Sequence, residues 1–453
     1  MTPRLTFREA IWLLFLLPLI NACQKDCSDP ATCHTYQDNI CEEAKTENVP
    51  VVSALETKIY PLSGSAPNLP SQELAGLDAI FEKAYFVGLG EATHGTLEFF
   101  EMKDRLFRYL VEKHGYKAIG FEATWGGALH VNRYVVDGIG TARDAVSKLQ
   151  FWTWRTEEVV TLVEWMHDYN LDKSEEDKIY FYGFDVQSGS EEVLLIEDYL
   201  NRNAPNLTAE VVPKIEGLVE TVGRDWQSYR ALPASQKEGF RTGIAEAETT
   251  FVNNETTLVG ASSQREFDLV KHAFTILRQY EEVVNSPQQN FPRDVYMASN
   301  SEWIRNYLGG EAKVALWAHN FHVGKGIPQL QGNELDLRHG DAYQVVGFSF
   351  AKGAFQAVRP GVGVTPFNRI NEANCLTTNA LLEEVGEEQC YIIFDELDTE
   401  SIANEYFNSS QPFFSLGALF DPNTPHRYVY PDPLAVRFDV LIHFNDTNAA
   451  VPY

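Results

Sequence analysis

The stretch "FVGLGEATHG", residues 86–95, contains a short apolar run, two spaced glycines, and then an acid and a base, Glu91 and His94. An apolar run that leads into glycines is typical of a buried strand followed by a ligand-binding loop. A dinucleotide-binding loop needs G-x-G-x-x-G, but here the third glycine comes too late. A P-loop needs lysine after its last glycine, and Thr96 stands there instead. The sequence therefore predicts that this loop presents Glu91 and His94 to a ligand other than a nucleotide phosphate.

Further β-rich runs alternate with helical patterns along the chain. These runs lie at residues 84–90, 117–123, 178–185, 313–319, 343–350, 354–358, 391–397 and 436–444. The early runs are apolar almost throughout, which is typical of strands buried on both faces of a parallel sheet. Residues 98–114 have apolar side chains at helical spacing. We therefore predict an α/β fold, with a central, mostly parallel sheet covered by helices.

Composition and charge limit the function classes. The chain has 453 residues, of which 44% are hydrophobic, and a formal charge of −28. That charge argues against binding nucleic acid, whose phosphates need a basic surface, and it suits a neutral or cationic small molecule. Residues 196–310 contain few strand signals, so we predict a helical insertion there. It divides the α/β domain into residues 51–195 and 311–453.

The N-terminus has the pattern of a targeting segment. Two arginines precede "AIWLLFLLPLI", an apolar run of about eleven residues that is too short to span a bilayer. The run ends in "INAC", which resembles a bacterial lipobox with Cys23 as the lipidated residue. We predict a signal peptide at residues 1–22 and a flexible tether at 23–50. The protein is then exported to the cell envelope and contacts the membrane only through the lipid on Cys23.

The chain contains six cysteines, and four of them lie before residue 42. Cys375 and Cys390 are separated from the others and would close a short loop, so we predict a disulfide between them. Cys27, Cys33 and Cys41 have spacings that match no zinc pattern, and their pairing stays open.

Polar side chains follow the predicted strands where each strand ends. In open α/β sheets, ligands bind outside the carboxyl ends of the strands. Any one acid or histidine in such a place is more often structural than functional, but here four strand ends carry them. The sequence therefore predicts one polar site, composed of Glu91, His94, Glu122, Asp185, His319 and His322.

Three blocks carry a resemblance to a known family. "GLGEATHG" (88–95), "GFEATWGGALHVNRYV" (120–135) and "ALWAHNFHV" (315–323) resemble, in order and rough spacing, the signature blocks of the erythromycin esterase family. "RDVYMASN" (293–300) is similar to a further family segment. The resemblance implies an α/β core with an added helical region, and an esterase that in some members hydrolyses the lactone of macrolide antibiotics.

The resemblance also implies roles for individual residues. His94 is the general base, and the catalytic set includes Glu91, Glu122 and His319. Lys103, nine positions after His94, belongs to the same pattern and lies on the apolar stripe of the predicted helix. A lysine there either extends to solvent or pairs with Glu91 or Glu122. We assign substrate binding to Lys103, together with His322 and Asp185.

These residue types fit ester hydrolysis without a cofactor or metal. An imidazole can take a proton from water while a carboxylate holds its tautomer, and His319 can hydrogen-bond the oxyanion or orient the water. One alternative is a metal-dependent hydrolase with His319 and His322 as ligands. Another uses Ser349 in "GFSFA", although the G-x-S-x-G motif needs a helix directly after its strand. A third is a lipoprotein that binds a ligand without turnover.

Overall fold

The computed structural model describes residues 30–223, 226–288, 290–367 and 375–453. Its strands are β1 (Ile59–Pro61), β2 (Phe86–Leu89), β3 (Ala118–Thr124), β4 (Tyr180–Asp185), β5 (Val314–Trp317), β6 (Tyr343–Gly353), β7 (Phe355–Arg359), β8 (Gly363–Phe367), β9 (Gln389–Ile393), β10 (Gln411–Phe414), β11 (Val429–Asp432) and β12 (Val440–Thr447). Eight of these strands form one sheet in the order β1-β9-β12-β6-β2-β5-β3-β4. All neighbours from β12 to β4 are parallel, and β9 and β1 add an antiparallel edge. The predicted α/β fold with a mostly parallel sheet is confirmed.

The helices cover both faces of this sheet. They are α1 (Pro30–Leu55), α2 (Asp78–Lys83), α3 (Leu97–His114), α4 (Trp125–Asp137), α5 (Ala142–Ser147), α6 (Glu157–Asn170), α7 (Ser190–Asn203), α8 (Pro205–Val222), α9 (Trp226–Arg230), α10 (Ala234–Asn253), α11 (Glu255–Ala261), α12 (Gln264–Asn285), α13 (Asn290–Tyr307), α14 (Asn320–Val323), α15 (Gln331–His339), α16 (Thr378–Glu383), α17 (Ile402–Asn408) and α18 (Leu434–Arg437). Within the described residues, no helix is long and apolar enough to cross a membrane.

The central strands have apolar side chains on both faces because each face has its own hydrophobic core. In β5, Val314 and Leu316 belong to one core, while Ala315 and Trp317 belong to the other. This follows from the two-residue period of a strand. The predicted strand at 354–358 forms as β7, but it pairs with β8 in a separate two-stranded sheet.

Helix α3 carries Lys103, which pairs with Glu91 in the candidate active site. Its apolar stripe, which includes Phe99, Met102 and Leu106, is completely buried against the sheet. Thr96 precedes the helix, but its hydroxyl bonds to the Thr93 hydroxyl instead of capping the helix. Packing of one face thus fixes the helix, as expected when tertiary burial dominates over local propensity.

The helical region between β4 and β5 shares the core of the sheet. In the described part of residues 190–307, all regular structure is helical, from α7 to α13. Leu218 and Phe274 from this region lie in the same buried cluster as Phe86 and Tyr182 from the sheet. The segment predicted as an insertion therefore lies in a helical layer on one face of the sheet, and the first helix of that layer begins at Ser190.

The predicted tether is not extended where the structure describes it. Residues 30–50 belong to α1, and Val51 and Leu55 at its end are buried in the core. The sequence of α1 is rich in polar residues, but burial of the last turn of α1 holds this helix against the hydrophobic core. The predicted signal peptide and lipidated Cys23 lie outside the described residues and stay predictions.

The predicted disulfide between Cys375 and Cys390 is wrong. Cys375 pairs with Cys41 of α1, with a Cα–Cα distance of 5.5 Å across a sequence separation of 334 residues. Cys390 is a free, buried thiol in β9, where it lies between Pro61 of β1 and His443 of β12. Burial raises the pKa of its thiol to about 12, so the reactive thiolate is disfavoured.

Disulfide mapping tests this assignment. Digestion without reductant should release a peptide that contains Cys41 linked to a peptide that contains Cys375. Cys375→Ser should lower the free energy of unfolding by roughly 2–5 kcal/mol, the usual cost of losing a native disulfide. As a control, a reductant should lower the Tm of the wild type and leave that of Cys375→Ser unchanged. A cross-linked peptide that joins Cys375 to Cys390 would refute the pairing.

Candidate active site

The loop after β2 is fixed to the ends of the neighbouring strands. The Asn320 side chain donates to Phe348 O (2.8 Å) and accepts from Phe348 N (3.1 Å), while Asn320 N donates to Glu91 O (2.9 Å). A Cβ at Gly90 would lie 2.2 Å from Oδ1 of Asn320, so only glycine allows this approach. Gly90 is therefore needed for the close packing beside Glu91, and not for binding a phosphate.

Glu91 is a completely buried carboxylate with three side-chain partners. Its Oε2 accepts hydrogen bonds from Lys103 Nζ and from Trp317 Nε1 (3.0 Å), and its Oε1 lies 2.5 Å from Nδ1 of His94. Burial alone would raise the pKa of Glu91, but the Lys103 charge and His94 lower it to about 2. The carboxylate is therefore ionised at neutral pH and can hold the imidazole in place.

His94 has one nitrogen engaged and one free. Because Nδ1 faces a carboxylate, it carries the proton, and Nε2 of the neutral ring is an acceptor. Within the described residues, Nε2 has no hydrogen-bond partner, and 12% of the side chain is exposed. This tautomer, with a free Nε2, is the one that a general base requires.

A second charge cluster joins the ends of β3 and β4. Glu122 Oε1 accepts from Arg293 Nη2 (2.6 Å), and Glu122 Oε2 accepts from the backbone N of His319 (3.1 Å). The same guanidinium donates to both oxygens of Asp185, at 2.7 and 3.0 Å. Burial alone would raise the pKa of Glu122, but His322 and Arg293 lower it. One arginine thus compensates two buried carboxylates.

His322 completes this cluster, packed between Asp294, Glu122 and Arg293. Its Nδ1 lies 2.6 Å from Asp294 Oδ1, and its Nε2 lies 3.4 Å from Glu122 Oε1 and 3.2 Å from Arg293 Nη1. Burial alone would lower the pKa of His322, but Asp294 and Glu122 raise it above its ordinary value. The ring therefore keeps its proton to a higher pH than a free histidine does.

Both ring nitrogens of His319 have hydrogen-bond partners within the protein. Its Nδ1 accepts from the backbone N of Phe321 (3.1 Å), and its Nε2 donates to the carbonyl of Leu416 (3.0 Å). The pKa of His319 is lowered to about 3, mainly by burial and to a smaller extent by the nearby His94. The ring is therefore neutral. The Ser415 hydroxyl also lies 3.4 Å from Nε2, so the ring is held in place from both nitrogens, and its predicted part in the chemistry stays a prediction. His319 also holds the segment at Leu416 over the loop of His94, whose ring centre is 5.1 Å away.

The structure brings together all the residues that the sequence predicted for the site. Lys103 pairs with Glu91, which was one of the two expected alternatives, and it is completely buried. Asp185 is also completely buried and bound to Arg293. Both were predicted to bind substrate, but in these positions they support other site residues.

Sequence reasoning missed three members of the site. Arg293 and Asp294 lie near the start of α13, away from the strand ends on which the prediction relied. The segment "RDVYMASN" was the only available signal for them. Trp317 belongs to an apolar strand, and its sequence pattern does not reveal that its indole N–H donates to Glu91.

The serine alternative does not fit the structure. Ser349 lies inside β6, which continues to Gly353, so no helix follows it directly. Its side chain is completely buried, and its hydroxyl lies 3.1 Å from Nδ1 of His443 in the neighbouring strand. As for the metal alternative, the described residues contain no group of three or more His, Cys, Asp or Glu side chains placed to hold a metal ion.

Comparisons with known proteins show where the chain belongs. A sequence model described as erythromycin esterase matches residues 111–447. Erythromycin esterase type II of Escherichia coli is 22% identical over 385 residues, which cover 77% of this chain and 90% of that protein. YbfO of Bacillus subtilis (strain 168), named as a candidate hydrolase, is 23% identical over 291 residues, or 60% of this chain. The match spans 63% of the length of YbfO.

Solved structures have the same fold. A succinoglycan biosynthesis protein is 26% identical with a TM-score of 0.75, covering 88% of this chain and 97% of that one. A Bacillus cereus protein is 25% identical with a TM-score of 0.77, covering 90% and 99%. A mutant of the erythromycin esterase EreC in its open conformation is 16% identical with a TM-score of 0.59, covering 84% and 95%, and shows the fold alone. Family membership suggests a hydrolase, and because the family match covers more than half of its residues, the chain belongs to the erythromycin esterase family.

Proposed function

We propose that this protein hydrolyses carboxylic esters with a water molecule activated by His94. The observation that supports the proposal is the pairing of His94 Nδ1 with the buried Glu91 carboxylate, which leaves Nε2 free as an acceptor. Lys103 and Trp317 donate hydrogen bonds to the other oxygen of that carboxylate and so fix its position. A histidine oriented in this way is suited to remove a proton from water.

The reaction then proceeds in two steps. In the first, the water oxygen bonds to the ester carbonyl carbon while its proton passes to His94 Nε2, which gives a tetrahedral oxyanion and an imidazolium. Glu91 stabilises that imidazolium. In the second, the bond between the acyl carbon and the leaving oxygen breaks, and His94 returns the proton to that oxygen. The products are a carboxylic acid and an alcohol, which remain one molecule if the substrate is a lactone.

We assign stabilisation of the oxyanion to Arg293 and His322 of the second cluster. His322 and Arg293 lie side by side, with 3.2 Å between His322 Nε2 and Arg293 Nη1. Their positions are fixed by Glu122, Asp185 and Asp294, so little reorganisation is needed when the negative charge develops. Preorganised charge of this kind is commonly the largest contribution to catalysis of acyl transfer.

The proposed substrate is a neutral ester, with macrolide lactones as the first candidates. Two relatives are named erythromycin esterases, at 22% and 21% identity. The formal charge of −28 disfavours anionic substrates. A screen of macrolides and simpler lactones, with mass spectrometry detecting the addition of one water, tests this choice. If none of these esters gains water with the wild-type enzyme, the proposed function is refuted.

Loss of the base should abolish turnover without unfolding the protein. His94→Ala should lower kcat by about 10²–10⁴-fold and change KM little, since the base acts in the transition state. The Tm should remain close to that of the wild type, because His94 is a partly exposed polar residue. Turnover and Tm are measured on the same preparation.

The control for this variant is Ser349→Ala. It removes the nucleophile of the serine alternative and should leave kcat near the wild-type value. Glu91→Gln added to His94→Ala should lower kcat much less than Glu91→Gln alone, because residues that act as a unit are not additive. An inactive Ser349→Ala protein with normal Tm, or a stable and fully active His94→Ala protein, would exclude the assignment.

The activity should decline at alkaline pH because of Lys103. Burial lowers the pKa of Lys103 to about 8, although the Glu91 carboxylate opposes that shift. As pH rises through this value, the ammonium loses its proton and Glu91 loses its countercharge, so kcat should fall. Lys103→Arg keeps its charge at every accessible pH and should remove the decline in its residual activity. The pH profile of kcat, corrected for uncatalysed hydrolysis, is the measurement, and a wild-type kcat that stays constant to pH 10 contradicts this role.

Hydrolysis should not depend on a bound metal ion, because an imidazole and a carboxylate suffice to activate water. The enzyme is dialysed against a strong chelator, metal removal is verified by elemental analysis, and kcat is measured. We expect the activity to be retained. Loss of activity that returns with one specific metal would favour the metal-dependent alternative, in which His319 and His322 are ligands.

A further inference from the structure

Gly417 lies in a segment that covers the loop of His94. This segment, residues 415–420, is held on both sides by backbone hydrogen bonds. Leu416 N donates to Ala92 O (2.8 Å), and Val358 N donates to Ala418 O (2.8 Å). The Leu416 carbonyl also accepts from His319 Nε2 (3.0 Å). Gly417 therefore has a fixed position relative to the catalytic loop.

Neither the backbone nor the packing explains a glycine at this position. Its φ angle is outside the left-handed region that favours glycine. A Cβ at Gly417 would meet one heavy atom within 4 Å, namely Nε2 of His94 at 3.9 Å. In contrast, a Cβ at Gly90 would clash with Asn320 at 2.2 Å, and one at Gly95 would clash with Gln356 at 2.5 Å. Gly90 and Gly95 are thus required for packing, whereas an alanine fits at position 417.

The free space at Gly417 lies next to the one nitrogen that the reaction needs. A water molecule that hydrogen-bonds to Nε2 stands about 2.9 Å from it. The oxygen of the same water must also stay about 3.5 Å or more from any methyl carbon. A methyl carbon 3.9 Å from Nε2 leaves no room for an oxygen atom on the line between the two, so a water bound to Nε2 must shift to one side. An alanine would thus narrow the approach to Nε2 and, apart from its chain neighbours, would meet no other side chain of the described residues within 4 Å.

We infer that Gly417 keeps the reactant position beside His94 Nε2 open, and that the absence of a side chain is its contribution to the reaction. This inference rests on the proposed role of His94 as general base. His319 takes part indirectly, because its bond to the Leu416 carbonyl sets the distance between the covering segment and the base. Gly417 thus determines how closely water and the ester carbonyl can approach Nε2.

Chemical labelling tests the open position without a substrate. Diethyl pyrocarbonate transfers an ethoxycarbonyl group to an accessible imidazole nitrogen, and peptide mass spectrometry reports the rate at each histidine. In the wild type, His94 should be labelled, since its Nδ1 is occupied and its Nε2 is free. Gly417→Ala should slow labelling of His94 several-fold and leave His130 of α4, whose side chain is 32% exposed, at the wild-type rate. Equal rates at His94 in the two proteins, or no labelling of His94 in the wild type, would overturn the inference.

Turnover provides the second measurement. With an ester that the wild type hydrolyses, Gly417→Ala should lower kcat by roughly tenfold to a hundredfold, as expected when a reacting group is misplaced by about 1 Å. The matched control is Gly239→Ala in α10, where a Cβ meets nothing within 4 Å. Both variants should have a Tm no lower than the wild type. If no ester is hydrolysed, the proposed function fails, whereas the labelling result still decides the inference. A Gly417→Ala protein with wild-type kcat and wild-type labelling would reject it.

Discussion

The buried ion pair between Lys103 and Glu91 is the interaction on which the active site depends. Both side chains are completely inaccessible to solvent, so each charge requires the other. Removing two ions from water costs several kcal/mol per ion, and the pair offsets this only with good geometry and further hydrogen bonds. The Trp317 indole supplies one such bond to Glu91, and its ring lies 4.3 Å below the Lys103 ammonium. Helix α3 and strand β5 are therefore held in register by the same carboxylate that orients His94.

The two charge clusters of the site meet at His319. Its backbone N–H donates to Glu122, and its ring packs beside His94. The lowered pKa of His319, which follows from burial and the neighbouring His94, keeps this ring neutral between the clusters. In the proposed reaction, a charged ring there would repel the imidazolium that forms on His94. His319 thus connects the clusters and the covering segment, although it was predicted as a direct participant in the chemistry.

The sheet and the main site residues were predictable because they follow from local patterns. Apolar runs predicted the strands, and the rule that ligands bind at the carboxyl ends of parallel strands brought Glu122, Asp185 and His319 to one edge. Features that depend on distant contacts could not be predicted this way. The bond between Cys41 and Cys375 spans 334 residues, and nothing in the local spacing favours it over a bond to Cys390. The burial of α1 likewise depends on contacts with the body that its polar sequence does not show.

The helical region between β4 and β5 supplies two residues of the candidate site. Arg293 and Asp294 come from α13, its last helix, and they are the partners of Glu122, Asp185 and His322. Moving α13 away from the sheet would leave two buried carboxylates without a cation, which costs several kcal/mol. The helical layer and the sheet are therefore coupled by charge as well as by their common hydrophobic core. Amino-acid substitutions in this layer must preserve the position of Arg293. They should therefore disturb the site least in the helices farther from α13.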